Sequence, residues 1–126
     1  MKNYLFLLLL ITIISCSSDS SSRIQSTEGS LIGTWKIQST EQGSDIVIYN
    51  NTPCLNRKIE FRTNYEFITY LYKAPSCNLI TSFDNYSVSP EKIITIDDER
   101  YLIYELTSTT LKLKHLSGII DTYSRE

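Results

Sequence analysis

From residue 31 onward no window of the chain carries apolar residues at helical spacing. Short runs rich in Ile, Tyr, Thr, Val and Phe recur instead between turn-forming residues. That pattern confines the domain to an all-β fold. Leu31 to Thr40 is expected as a first strand, with Gly33, Trp35 and Ile37 on one face and Thr34, Lys36 and Gln38 on the other. Glu41 to Asp45 turns the chain, and Ile46 to Tyr49 fits a strand fragment. Lys58 to Arg62 and Tyr65 to Tyr72 read as a hairpin around the two-residue connection Thr63-Asn64, in which asparagine tolerates positive φ. Further strands are expected over Leu79 to Val88, Lys92 to Ile96, Tyr101 to Thr107, Thr110 to Leu116 and Ile119 to Ser124.

These are about eight strands, each joined to the next by a few residues, with no segment long enough for a crossover helix. Sequential hairpins of this kind make an up-and-down antiparallel sheet. Left open it would expose two edges, and closure into a small barrel removes them. At eight strands the interior is just wide enough to be filled by side chains or to hold one small ligand.

The N-terminal stretch obeys different rules. Met1-Lys2-Asn3 precedes an apolar run from Tyr4 to Ile14 broken only by Thr12, followed by Ser15 and Cys16. The run falls short of the roughly 20 residues a spanning helix needs, and it ends in a small residue, as a cleaved signal does. Ile13-Ile14-Ser15-Cys16 resembles the bacterial lipobox, whose cysteine receives diacylglycerol. The resemblance implies a signal peptide over 1–15, lipidation of Cys16 and attachment to a membrane. Residues 17–29 are serine-rich with one large apolar side chain, Ile24, so they bury too little to offset the entropy of ordering. The expected organisation is a cleaved segment 1–15, a lipidated cysteine and tether over 16–30, and a barrel domain over 31–126. Ser17 after the cysteine favours the outer membrane under the common sorting rule.

Charge excludes one class of partner. The chain carries 12 basic and 14 acidic residues with no clustered basic face, which argues against nucleic acid. With Cys16 lipidated, Cys54 and Cys77 remain as an even pair in an exported chain, and an oxidising compartment favours joining them. Such a bridge is worth roughly 3 kcal/mol by loop entropy. The alternatives are two free thiols or a metal pair, but two cysteines and one distant histidine do not make a zinc set.

No catalytic constellation, cofactor or metal motif is legible. His115 is the single histidine, and the default for it is a partly exposed strand-end residue. Asp97-Asp98-Glu99 lacks the spacing of a calcium loop and sits where a hairpin turn is needed. The nine tyrosines offer an apolar body with a polar tip, suited both to strand packing and to pocket mouths. On the arm from Tyr65 to Tyr72, alternation puts Tyr65 and Phe67 on one face and Tyr70 and Tyr72 on the other. All four are candidate ligand-lining residues.

Leu31-Ile32-Gly33-Thr34-Trp35-Lys36-Ile37 resembles the Gly-x-Trp signature on the first strand of lipocalins. Together with the lipobox, the tether, the Lys58–Phe67 run and the Tyr104–Leu113 run, the chain resembles the lipocalin-like domain lipoproteins of Gram-negative envelopes. The resemblance implies a barrel floor built on Gly33 and Trp35, with Arg125 a candidate to lie across the tryptophan ring and a solvated terminal arginine as the alternative. It also implies a non-enzymatic, membrane-anchored protein that binds a small apolar ligand. The rival expectation is a solidly packed barrel that serves as a structural or protein-interaction module of the envelope.

Overall fold

The computed structural model describes residues 30–49, 54 and 56–126. The expected signal peptide, Cys16 and all of the tether but Ser30 lie outside them. Nine strands run β1 (Gly33–Gln42), β2 (Asp45–Ile48), β3 (Arg57–Phe61), β4 (Glu66–Lys73), β5 (Asn78–Val88), β6 (Ile93–Ile96), β7 (Glu99–Leu106), β8 (Thr110–His115) and β9 (Ile120–Arg125). Every pairing is antiparallel, and β1 pairs with β9 to close an eight-stranded barrel. β2 is the added ninth strand: it hydrogen-bonds to Ser39–Gln42 of β1, beyond the stretch of β1 that pairs with β3.

Hairpin connectivity gives the barrel two distinct ends. The floor carries the turns after β3, β5 and β7, together with the start of β1 and the end of β9. The mouth carries the turns after β1, β4, β6 and β8. Inward positions from the floor to mid-height are apolar and closely packed, with Trp35, Ile37, Ile59, Phe61, Phe67, Tyr86, Ile94, Leu111 and Leu113 buried in one cluster. Phe61 packs between Phe67 and Tyr86, each ring centroid 5.0 Å away.

The turns explain one departure from the sequence expectation. The β3–β4 connection has three residues, because Arg62 N–H donates to the Glu66 carbonyl and Tyr65 N–H to the Arg62 carbonyl. The positive φ falls on Tyr65 (63°), so the expected two-residue turn with asparagine in that conformation is corrected. The same three-residue geometry joins β5 to β6, with Lys92 at φ 63°, and β8 to β9, with Gly118 at φ 90°. A type I turn followed by a left-handed residue fits the strand twist, and aromatic or basic side chains meet the requirement where the position is exposed.

Gly33 is the glycine the floor requires. Its φ is +136°, and a Cβ there would stand 2.6 Å from Nη1 of Arg125. Trp35 is fully buried beside it, its indole N–H donating to the Leu31 carbonyl at 2.9 Å. The Arg125 guanidinium lies 4.2 Å from the centroid of that ring and also donates to the carbonyls of Ile32, Ser108 and Ser30. Arg125 therefore latches the chain that precedes β1 to the last strand, with the aromatic face as its platform.

Candidate functional site at the barrel mouth

Above the packed layers, the inward positions turn polar. A β-bulge between Ile37 and Ser39 reverses the alternation of β1, so that Thr40 faces inward opposite Asp121 of β9. β3 contributes Arg57, β4 Thr69, β7 Tyr101, β8 His115 and β9 Asp121 and Tyr123. These line a cleft of about 100 Å³ whose remaining wall is Ile59, Phe67, Ile96 and Leu113.

Asp121 is the centre of the cluster and is only 3% exposed. Its carboxylate accepts from the Thr40 hydroxyl at 2.5 Å and from Nη2 of Arg57 at 2.5 Å, and it pairs with Nε2 of His115 at 3.1 Å. Nη2 of Arg57 also donates to the Tyr123 hydroxyl at 2.6 Å. Burial by itself pushes the Asp121 carboxyl up. The Thr40 bond, the Arg57 charge and the bonds from His115 and Arg57 outweigh that and hold it below its ordinary value. Burial pushes the Tyr123 and Tyr101 phenols well up, so both stay neutral. Tyr101 donates to the Glu99 carboxylate and meets His115 edge-on at 4.7 Å between centroids.

The cluster is therefore an Arg57–Asp121 ion pair that the hydroxyls of Thr40 and Tyr123 and the His115 ring contact, in a cleft that opens to solvent. Replacing Asp121 by alanine leaves Arg57 without its counter-charge and is expected to lower stability by about 2–3 kcal/mol at neutral pH. The loss is smaller than for a fully buried pair because 36% of the Arg57 side chain stays exposed. The lowered Asp121 value means that its contribution is complete above the ordinary carboxylate range, begins to fall below about pH 4 and is lost as pH passes down through the lowered folded-state value. Unfolding curves of wild type and D121A should thus converge in acid, and a gap that persists there would contradict the assignment.

A second, more open groove of about 240 Å³ adjoins the cleft and shares Arg57 with it, bordered by Ile37, Tyr49, Leu71 and Tyr72. Cys54 also borders this groove and is bonded to Cys77, the last residue of the β4–β5 turn, with Cα atoms 4.8 Å apart, so the bridge ties the β4–β5 hairpin to the segment before β3.

The four aromatic residues singled out from the sequence separate. Phe67 lines the cleft. Tyr72 borders the outer groove. Tyr70 lies on the outside of the barrel, its hydroxyl donating to Glu60 at 2.6 Å, because residues alternating with Phe67 and Thr69 must face outward. Tyr65 falls in the floor turn, 65% exposed, where its left-handed backbone takes it out of the β4 alternation. Tyr65 and Tyr70 therefore lie away from the mouth cleft, and Tyr70 borders, with Tyr72, an open groove on the outside of the barrel.

His115 sits at the end of β8, and the strand that follows brings Asp121 to it. Among the described residues no hydroxyl or thiol hydrogen-bonds to this histidine. Asp97 and Asp98 form the turn between β6 and β7, and no group of three His, Cys, Asp or Glu among the described residues is placed to hold a metal ion.

Sequence comparison agrees with the geometry: residues 31–113 match the model of the lipocalin-like domain, and the chain belongs to that family. Two solved structures share the fold. One is a lipocalin-like protein from Bacteroides uniformis, with a TM-score of 0.63 at 15% identity, covering 76% of this chain and 98% of that one. The other is an uncharacterized protein from Bacteroides eggerthii, with a TM-score of 0.61 at 11% identity, covering 77% of this chain and all of that one (100%). No curated protein matches the chain.

Proposed function

We propose that this protein is a non-enzymatic lipoprotein of the bacterial cell envelope, anchored through Cys16 to the outer membrane, whose barrel mouth holds one end of a small ligand. The observation that carries the ligand reading is the Arg57–Asp121–His115 cluster, its aspartate buried, on the wall of a solvent-open cleft that Ile59, Phe67, Ile96 and Leu113 line on its apolar side. Whole drug-sized ligands occupy pockets of about 300–1,000 Å³. A cleft of about 100 Å³ takes only the hydrogen-bonding tip of a molecule, and the adjoining groove, with Ile37, Tyr49 and Leu71 along it, suits an apolar body. The ligand is thus small and mostly apolar, with a polar end.

The packed lower barrel favours a second reading, a structural or protein-interaction module in which the mouth cluster only pins strands together. Native mass spectrometry of the full-length gene product, extracted from membranes of the bacterium that exports it, separates the two. The lipoprotein reading predicts a chain that begins at Cys16 and carries covalent acyl mass. The ligand reading predicts a further mass that leaves on denaturation and is missing from a Leu113→Trp variant with its cleft filled. An unacylated chain would overturn the first, and a bare acylated protein would favour the interaction module.

A further inference from the structure

β5 pairs with β4 over Asn78–Asn85 but with β6 only over Tyr86–Val88. From Asn78 to Asp84 its other edge has no strand beside it among the described residues. Strand parity fixes which backbone groups line that edge. The N–H of Tyr86 points toward β4, where it meets the Tyr65 carbonyl, and the carbonyl of Asn85 points the other way, to the N–H of Asp97. By alternation, the N–H and C=O of Leu79, Thr81 and Phe83 project from the free edge.

Natural edge strands are usually blunted with lysine, proline, a bulge or an inward charge. Over Asn78-Leu79-Ile80-Thr81-Ser82-Phe83 there is none of these, the one charge of the free stretch being Asp84 at its far end: the six residues are uncharged, paired with β4 without a register shift, and rich in β-forming side chains. Leu79, Ile80 and Phe83 are all exposed, Phe83 by 62%. The free edge of β2, by comparison, is four residues long and begins with Asp45.

We propose that two copies of this chain associate by antiparallel pairing of β5 with β5 about a twofold axis at Thr81. The segment is complementary to itself in that register. Thr81 meets its own copy as a hydrogen-bonded pair, Leu79 faces Phe83 of the second copy and Phe83 faces its Leu79, so that every projecting backbone group of the three residues finds a partner. Apolar and aromatic side chains lie opposite one another on one face, and Ile80 lies opposite Ser82 on the other. No like charges are brought together. Two six-residue strands fall at the small end of specific interfaces, below about 1,200 Å², which makes the association weak and concentration-dependent.

A covalent trap reads such a dimer directly. In the hydrogen-bonded pair the two Thr81 Cα atoms stand about 5.5 Å apart, within disulfide range. The full chain carrying Thr81→Cys, mildly oxidised in membranes of the bacterium that exports it, is expected to run as a dimer on a non-reducing gel. The yield should be several-fold above that of Ser117→Cys, an exposed control in the turn between β8 and β9. Adding Phe83→Lys should return it to the control level, with the Cys54–Cys77 bridge intact as the sign that the barrel has folded. A yield no higher than the Ser117→Cys control, or one indifferent to Phe83→Lys, would overturn the proposal.

Discussion

Substituting alanine for Trp35 is expected to lower the free energy of unfolding by about 3–5 kcal/mol, the cost of emptying a large aromatic site in a packed core. Two features place this residue at the top of that range rather than the bottom. The indole is fully buried, so its removal leaves a cavity that Ile37, Phe61 and Leu111 fill poorly from their fixed strand positions. It is also the platform for Arg125, whose guanidinium ties the carbonyls of Ser30, Ile32 and Ser108 across the barrel floor. Loss of the ring therefore loosens the junction of the first strand with the last, the closure on which the barrel depends. A urea titration followed by circular dichroism measures the effect, and a loss below about 1 kcal/mol would show that the floor repacks without it.

The second large effect concerns the mouth. Replacing Cys54 and Cys77 together by serine should cost roughly 3 kcal/mol, from the entropy regained by an unfolded chain no longer closed across its 23-residue separation. The same variant should reduce ligand retention, because Arg57 opens β3 three residues after Cys54 and is positioned by the segment that the bridge holds. Wild-type protein unfolded with and without reductant should reproduce the difference. If reduction leaves the denaturation midpoint unchanged, the bridge contributes nothing to stability and its role in placing Arg57 must be abandoned.

Much of the architecture was legible because β-strands declare themselves by alternation. Trp35 and Ile37 in β1, and Phe67 and Thr69 in β4, fall on the face that alternation assigns them, and short connections left no topology but a meander. The β3–β4 turn was misread because a tyrosine, not the adjacent asparagine, takes the left-handed conformation. In that turn hydrogen-bond register, rather than residue preference, decides which position bends. Thr40 could not be assigned to the interior, since a bulge reverses the alternation of β1 and bulges leave no reliable mark in a single sequence.

The candidate site was largely illegible for a different reason. His115 and Asp121 meet locally across the β8–β9 hairpin, but Arg57 is distant from both in sequence and joins them only because β1 pairs with both β3 and β9. Barrel closure brings Arg57 Nη2 within 2.5 Å of Asp121. Tyrosine count pointed toward the mouth through Tyr72 but also toward Tyr65 and Tyr70, because composition identifies residues suited to recognition without saying which face they occupy. The one signal available was a buried-side aspartate: in Ile120-Asp121-Thr122-Tyr123, the carboxylate shares alternation with Tyr123, an apolar position.

The mouth cleft as a ligand site is the central claim, and His115 offers a direct probe of it. As the single histidine it gives one imidazole signal in a proton–carbon NMR spectrum, reporting from the wall of the cleft beside Asp121 and Tyr101. Titrating the full-length gene product in detergent with fractionated envelope extract should move that signal for the fraction holding the ligand, and the same fraction should leave it in place in the Leu113→Trp variant. A His115 signal unmoved by every fraction, or moved equally in both proteins, would contradict the assignment of the mouth as the binding site.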